Sequence, residues 1–428
     1  MGTTGGGVWR SQNADTSSAA GISFIPLTDD LSALSGAAES SISIGALTVQ
    51  PGGTDVILAG TGDPNDALDS YYGAGILRSA DGGTTWTLIP NTADGIYSFA
   101  GEGFSGFAWS TVNQQLVVAA VSQAYEGALV NAVWPGASYE GLYYSLDGGA
   151  TWSLATITDG AGADVEGPGN VFDLPDGNAA TSVVWNPVRK LFIAAVRYHG
   201  YYQSSDGITW TRMSDQDQPG AATSTGTSAS LSSAWCPTSP GGTGLPTCPI
   251  FRGTLAVNPQ TGDTFAWTVD EFNHDQGIWQ DLCAVSSNAC TNQTMTFAQP
   301  WNTAALEVAP PLDTTITNGD YNLALAAVPS GQETLLLAGD NDLWESTCPE
   351  AQGCKWRNTT NSTTCMSAQV GEYQHALAWN SANSLEIFVG NDSGLWRSID
   401  GIGESGSVCS PSDASHFQNL NGNLGRCV

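Results

Sequence analysis

The chain has 428 residues, with 11 Lys+Arg against 41 Asp+Glu and a formal net charge of −30. It lacks the clustered cations that nucleic acid or an anionic membrane surface would require. It also lacks a run of 18 apolar residues, so no direct membrane insertion is expected.

Gly is abundant at 51 and Trp at 15, and short apolar runs alternate with Gly, Ser, Thr and Asn clusters. That pattern predicts many short strands joined by turns, with no sustained helical periodicity. The strands recur as one unit. Gly7-Val-Trp-Arg-Ser11 opens the series, and Gly75-Ile-Leu-Arg-Ser-Ala-Asp81-Gly-Gly-Thr-Thr-Trp86 is its first full copy. Gly141 to Trp152 and Gly200 to Trp210 nearly superpose on it, the latter one residue shorter. Degenerate copies start at Gly277, Asp342 and Gly394, giving seven anchors in all. Ahead of six of these anchors stands an apolar strand, such as Ile44–Val49, Ser182–Asn186 or His375–Asn380. A second apolar strand follows each, such as Asp55–Gly60 or Lys190–Ala195. Each unit therefore holds four strands, a to d, and radial repetition of such sheets makes a β-propeller.

The expected architecture is all-β: a seven-bladed propeller of four-stranded antiparallel blades spanning residues 1–428 as one domain. Residues 1–28 form a partial blade with strands c and d only. Full blades follow over 42–92, 103–156, 180–214, 252–298, 321–358 and 373–419, and 420–428 is a tail. The missing inner strands of the first blade suggest a longer natural chain, one form of which would carry a second propeller.

The turns at Ser79, Asp81, Gly83 and Trp86, and at Ser145, Asp147, Gly149 and Trp152, read S-x-D-x-G-x-T-W. Ser204, Asp206 and Trp210 keep the same frame. This motif resembles the Asp box of BNR-repeat proteins, a propeller superfamily that includes sialidase-like proteins, sortilin-type receptors, photosystem-assembly factors and two-propeller xyloglucanases. The resemblance implies that these residues are structural. The Asp should accept backbone N–H groups of its own turn, and the Trp should bury its ring between blades. It also implies that ligands meet the opposite face, formed by the b–c and d–a loops.

Candidate ligand-face residues are Tyr71 and Tyr72 in one b–c loop and Asp270, Glu271 and His274 in another. A recurrent pattern ahead of strand a, Gly101-Glu102, Gly319-Asp320-Tyr321 and Gly371-Glu372-Tyr373, adds Glu102, Asp320 and Glu372 at the inner mouth. Carboxylates converging there would bind sugar hydroxyls or Ca²⁺. No cofactor is required, Ca²⁺ is an optional one, and no metal ligand set is assigned. His274 and His375 read as isolated.

Nine Cys include three close pairs: Cys236/Cys248, Cys283/Cys290 and Cys348/Cys354. These are expected disulfides, which place the chain in an oxidising compartment, extracellular, periplasmic or at the cell surface. Cys365, Cys409 and Cys427 are left without an assigned pairing. Sequons at Asn292, Asn358, Asn361 and Asn391 fit export. Phe251-Arg252-Gly253-Thr254 departs from the F/Y-R-I-P segment of sialidases, so sialidase activity is not expected. The functional expectation is a secreted, non-catalytic binding or scaffold module for a glycan or an extracellular protein. The alternatives are a glycoside hydrolase of the Asp-box type and a Ca²⁺-stabilised extracellular structural protein.

Overall fold

The computed structural model describes residues 1–28, 42–53, 55–65, 70–124, 140–158, 179–197, 200–213, 250–270, 272–283, 295, 297, 301, 303–308, 312–331, 333–347, 355–360, 370–402, 416–422 and 424. The protein is an all-β, seven-bladed propeller of mostly four-stranded antiparallel sheets. Six of the seven sequence anchors fall on, or one residue before, the third strand of a sheet, and the first, Gly7, opens the middle strand of a three-stranded one.

The second blade illustrates the plan, with strands Ile44–Val49, Ile57–Thr61, Ile76–Ser79 and Thr87–Ile89. In the third blade, strand b (Val117–Gln123) is buried along its whole length, as is Leu191–Val196 in the fourth. A strand covered on both faces by neighbouring blades reads as a continuous apolar run rather than an alternating one. Strand a, nearer the axis, is half-buried at several positions, as in Ala180–Asn186. The fifth sheet has three described strands, Arg252–Val257, Thr264–Val269 and Asp275–Asp281, with Met295 and Phe297 buried beyond them. A short segment, Thr156–Thr158, leaves the third blade and pairs in parallel with Thr209–Thr211 on the outer edge of the fourth.

The first blade corrects the expectation of strands c and d alone. It has three strands, because Gly2–Thr3 pairs antiparallel with Gly7–Val8 inside Gly7–Ser11, and Phe24–Pro26 completes it. The ring closes between this blade and the last. Trp9, Ile22, Phe24 and Leu420 form one buried cluster, with Phe388 and Leu395 packed against it. Arg397 donates to the Ala14 carbonyl, and the Gln418 amide reaches the Ser17 carbonyl at 3.1 Å.

Tryptophans hold neighbouring blades together. Trp152 of the third blade shares a cluster with Ala46, Leu58 and Ile76 of the second. Trp210 of the fourth packs with Leu116, Val118 and Ala120 of the third. Burying one such ring contributes up to roughly 4–6 kcal/mol by area.

Candidate functional site

Antiparallel blades place the a–b and c–d turns at one end of the ring and the b–c and d–a loops at the other. The c–d turns are built by their own side chains. Asp81 Oδ1 accepts the N–H groups of Thr84 and Thr85 at 3.0 and 2.8 Å, and Oδ2 accepts the Thr85 hydroxyl at 2.7 Å. The Ser79 hydroxyl donates to Asp81 at 2.9 Å and accepts the Gly83 N–H at 2.8 Å. Asp147 repeats the set with Ala150, Thr151 and Ser145, and Asp206 with Ile208, Thr209 and Ser204. The Trp86, Trp152 and Trp210 indoles each donate to a turn glycine carbonyl at 3.0–3.2 Å. Hydrogen bonds from the Thr85 N–H and hydroxyl hold the Asp81 carboxyl down at about 2. For Asp147 and Asp206, partial burial pushes upward, yet the same kind of bonds outweigh it and the shift is downward. These carboxylates are spent on their turns.

A position not singled out for a role completes the end. The strand-c arginines reach the next blade's turn: Arg10 Nη1 donates to the Gly82 carbonyl at 2.7 Å, and Arg78 Nε to the Gly148 carbonyl at 2.9 Å. Arg397 plays the equivalent part where the ring closes. The signal is in the sequence, since Arg precedes Ser in Arg10-Ser11, Arg78-Ser79 and Arg397-Ser398.

The other end gathers the candidate ligand face. Two aromatic side chains from successive d–a loops meet there: the Tyr321 and Tyr373 rings lie edge to face at 6.0 Å. The His375 ring stands 4.7 Å from Tyr321, also edge to face. Asp392, in the b–c turn of the last blade, accepts the Tyr321 hydroxyl at 3.1 Å and bonds His375 Nε2 at 2.7 Å. Tyr373 has φ +64°, a conformation a bulky L-residue adopts at a cost. Across the mouth, Arg252 Nη2 of the fifth blade donates to Asn65 Oδ1 of the second at 3.0 Å, while its Nη1 takes the carbonyls of Asp320 and Tyr321. Asp63, buried at the same mouth, accepts the Asn65 N–H at 2.9 Å. Burial raises its carboxyl above the usual range, against the opposing pull of Asn65, His375 and Arg252.

The sequence candidates divide on this face. Glu102 is 1% exposed, which overturns its place at an open rim. It is the first residue of Glu102–Trp109 and pairs with Gln123, whereas Asp320 and Glu372 lie ahead of their strands. The strand ladder, not the loop, therefore sets the course of the chain at Glu102. Asp320 is half-buried and its N–H is held by Asn273 Oδ1 at 2.6 Å; Glu372 is half-buried beside Tyr373. Tyr71 is exposed at the second-blade loop and Tyr72 half-buried. Asp270 caps its own turn, accepting the N–H groups of Phe272 and His274 at 2.9 Å, and bonds His274 Nδ1 at 2.9 Å. Neither His274 nor His375 is isolated, because each pairs with a carboxylate. Glu271 lies outside the described residues.

Cys283 is buried and disulfide-bonded. Cys290, Cys236, Cys248, Cys348 and Cys354 lie outside the described residues, as do Cys365, Cys409 and Cys427. Two sequon amides are engaged in the fold, Asn358 with Asp342 at 3.0 Å and Asn391 with the Gly371 carbonyl at 3.0 Å. Among the described residues, no group of three or more His, Cys, Asp or Glu is placed to hold a metal ion. No helix among them is long and apolar enough to cross a membrane.

No family model matches the chain. A xyloglucanase from a Paenibacillus species is 34% identical over 103 residues, 21% of this chain and 9% of that protein. The GH74 xyloglucanase from Xanthomonas campestris aligns with TM-score 0.52 at 14% identity, covering 93% of this chain and 49% of its own. An ancestral GH74 enzyme aligns with TM-score 0.46 at 14% identity, over 85% of this chain and 48% of its own. The chain thus spans about half the length of these structures, and its similarity to the Xanthomonas enzyme is one of propeller fold.

Proposed function

We propose that this chain is an Asp-box propeller working outside the cytoplasm, whose loop face binds a glycan without cleaving it. The observation that carries the reading is the Tyr321, Tyr373, His375 and Asp392 cluster. Aromatic surface beside a few fixed polar groups suits a sugar, which presents apolar ring faces and directional hydroxyls. The strained Tyr373 supports it, since backbone strain persists where the surroundings over-determine a side chain's position. Partial similarity to a xyloglucanase favours a glycan over a protein partner. Export is supported by the disulfide at Cys283.

The test is a glycan array probed with the full chain, with a reducing-sugar assay on each glycan retained. Retention without release of reducing ends is expected. Tyr321→Ala and Tyr373→Ala should each weaken binding about tenfold or more, the loss of one well-packed aromatic contact. Release of reducing ends would replace this reading with a hydrolase, and absence of retention on any glycan would replace it with a protein partner.

A further inference from the structure

The segment Phe251-Arg252-Gly253-Thr254, which departs from the sialidase pattern, sets its arginine among the loops of the ligand face. Arg252 opens the inner strand Arg252–Val257 of the fifth blade, and both its neighbours are pinned. The Phe251 N–H donates to the Val269 carbonyl at 3.0 Å, and the Phe251 carbonyl accepts Arg197 Nε at 3.0 Å. The Arg197 guanidinium lies 4.0 Å from the centre of the Phe251 ring. On the other side, the Gly253 N–H donates to the Thr181 hydroxyl of the fourth blade at 3.1 Å, and its carbonyl accepts that hydroxyl at 3.0 Å. A Cβ on Gly253 would stand 2.6 Å from the Tyr201 hydroxyl and 2.9 Å from the Ala195 Cβ, so a side chain there would force the strands apart.

From that fixed base the guanidinium ties together residues far apart in the chain. Nη1 donates to the carbonyls of Asp320 and Tyr321, both at 2.8 Å, and Nη2 donates to Asn65 Oδ1 at 3.0 Å. Each partner is itself held. The Asp320 N–H donates to Asn273 Oδ1 at 2.6 Å, and the Tyr321 N–H to the Asn318 carbonyl at 2.9 Å. Asn65 is buried; its N–H donates to Asp63 Oδ1 at 2.9 Å and its carbonyl accepts the Ser70 hydroxyl. The Asp63 N–H in turn donates to the Tyr71 carbonyl at 2.8 Å. A run of hydrogen bonds therefore leads from Tyr71, 50% exposed, through Asp63 and Asn65 to Arg252, and on to Tyr321, whose hydroxyl reaches Asp392.

We propose that Arg252 is a positioning residue of the glycan-binding face, and that Tyr71 is a further glycan contact, which Arg252 holds in register with Tyr321 and Tyr373. The assignment rests on the glycan reading above. A planar fork of donors suits the task, because it engages acceptors on several sides in one rigid geometry, which a single ammonium on a flexible stem does not. These contacts are to amide oxygens of the protein, so the arginine acts through Tyr321 and Asn65 rather than on the sugar. Aromatic contacts held in fixed register cooperate, since a glycan seated on Tyr321 meets Tyr71 without the entropic cost of ordering it.

A double-mutant cycle tests this, with the full chain titrated calorimetrically against the glycan that it retains most strongly on the array. Tyr71→Ala should weaken binding about fivefold or more in the wild type and less than about twofold in Arg252→Gln, where Tyr71 is no longer held against the sugar. Amide hydrogen exchange reads the same bridge with no glycan present. In Arg252→Gln the Asp63 and Tyr321 amides should lose about tenfold in protection, with the third-blade Ala155 amide unchanged. Should that variant fail to fold, Asn65→Ala serves, since it leaves Arg252 on the Asp320 and Tyr321 carbonyls and should expose the Asp63 amide alone. Equal effects of Tyr71→Ala in both backgrounds, or unchanged protection in a folded variant, overturn the assignment. A wild type that retains no glycan overturns the glycan reading and the part of Tyr71 with it, while lost protection in Arg252→Gln still establishes the arginine bridge.

Discussion

The third-blade c–d turn separates two kinds of hydrogen bond by their burial. Ser145 is almost fully buried, and its hydroxyl accepts the buried Gly149 N–H at 2.9 Å. Ser145→Ala leaves that donor without a partner or water, which costs about 1–3 kcal/mol. Asp147 accepts the N–H groups of Ala150 and Thr151 and the Thr151 hydroxyl on the exposed side of the turn, and the Ser145 hydroxyl at 2.7 Å on its inner side. Water can take the three exposed donors when the carboxylate goes, and the Ser145 hydroxyl still accepts the Gly149 N–H, so Asp147→Ala should cost less, about 1 kcal/mol, the size of a lost helix cap. Thermal melts followed by near-ultraviolet circular dichroism should therefore rank Ser145→Ala below Asp147→Ala, and both below the wild type. Acid adds a second readout. The Asp147 carboxyl sits below its ordinary 3.8 in the folded chain, so its contribution is present above pH 3.8 and is lost as pH falls through the folded value. The gap between wild type and Asp147→Ala should close in that acid range. An Asp147→Ala penalty larger than that of Ser145→Ala would refute this assignment of buried and exposed bonds.

Two further outcomes are expected. Tyr373→Gly removes the cost of φ +64° and should leave the melting temperature unchanged or raised by about 1 kcal/mol equivalent, while lowering glycan retention about tenfold; a folded variant that retains glycan fully would separate the strain from binding. Burial, then the neighbouring Asp342 charge, raise Asp340 to about 7, so its contribution is complete below pH 3.8 and declines up to about 7. Asp340→Asn keeps an acceptor for the Asp342 N–H and the Trp344 indole and should flatten that part of the stability–pH curve, giving a higher melting temperature than wild type at pH 8; parallel curves would count against the raised carboxyl.

The propeller was legible because three blades repeat the same local chemistry and the others keep part of it. A Gly-led strand c, a Ser–Asp turn and a Trp recur at intervals short enough to count, and each is satisfied within its own hairpin or by the adjacent blade. The ligand face was less legible because its contacts join residues far apart in the chain. Asn65 meets Arg252 across 187 positions, and Tyr321 meets Asp392 across 71. The G-[DE]-Y pattern at Gly319-Asp320-Tyr321 and Gly371-Glu372-Tyr373 was visible, but its carboxylates drew attention where its tyrosines carry the cluster. Glu102 shares the Gly-acid pair without the tyrosine, and it is the member that the strand ladder withdraws from the surface.

That contrast gives the two ends of the ring different physical characters. At the turn end, carboxylates of Asp81, Asp147 and Asp206 are saturated by short bonds from their own hairpins and are held ionised, so they offer an incoming ligand little unused capacity. At the loop end, Asp63, Asp275, Glu307 and Asp340 are all shifted the other way, chiefly by burial. A chain carrying a formal charge of −30 gains by holding such groups neutral where they crowd together. Raised carboxyls thus gather where loops from several blades meet, but burial also lifts Glu345, which faces Arg357, His416 and Asp400 at the last c–d turn, to about 7, so a change of pH near neutrality acts on both ends of the ring while leaving Asp81, Asp147 and Asp206 ionised.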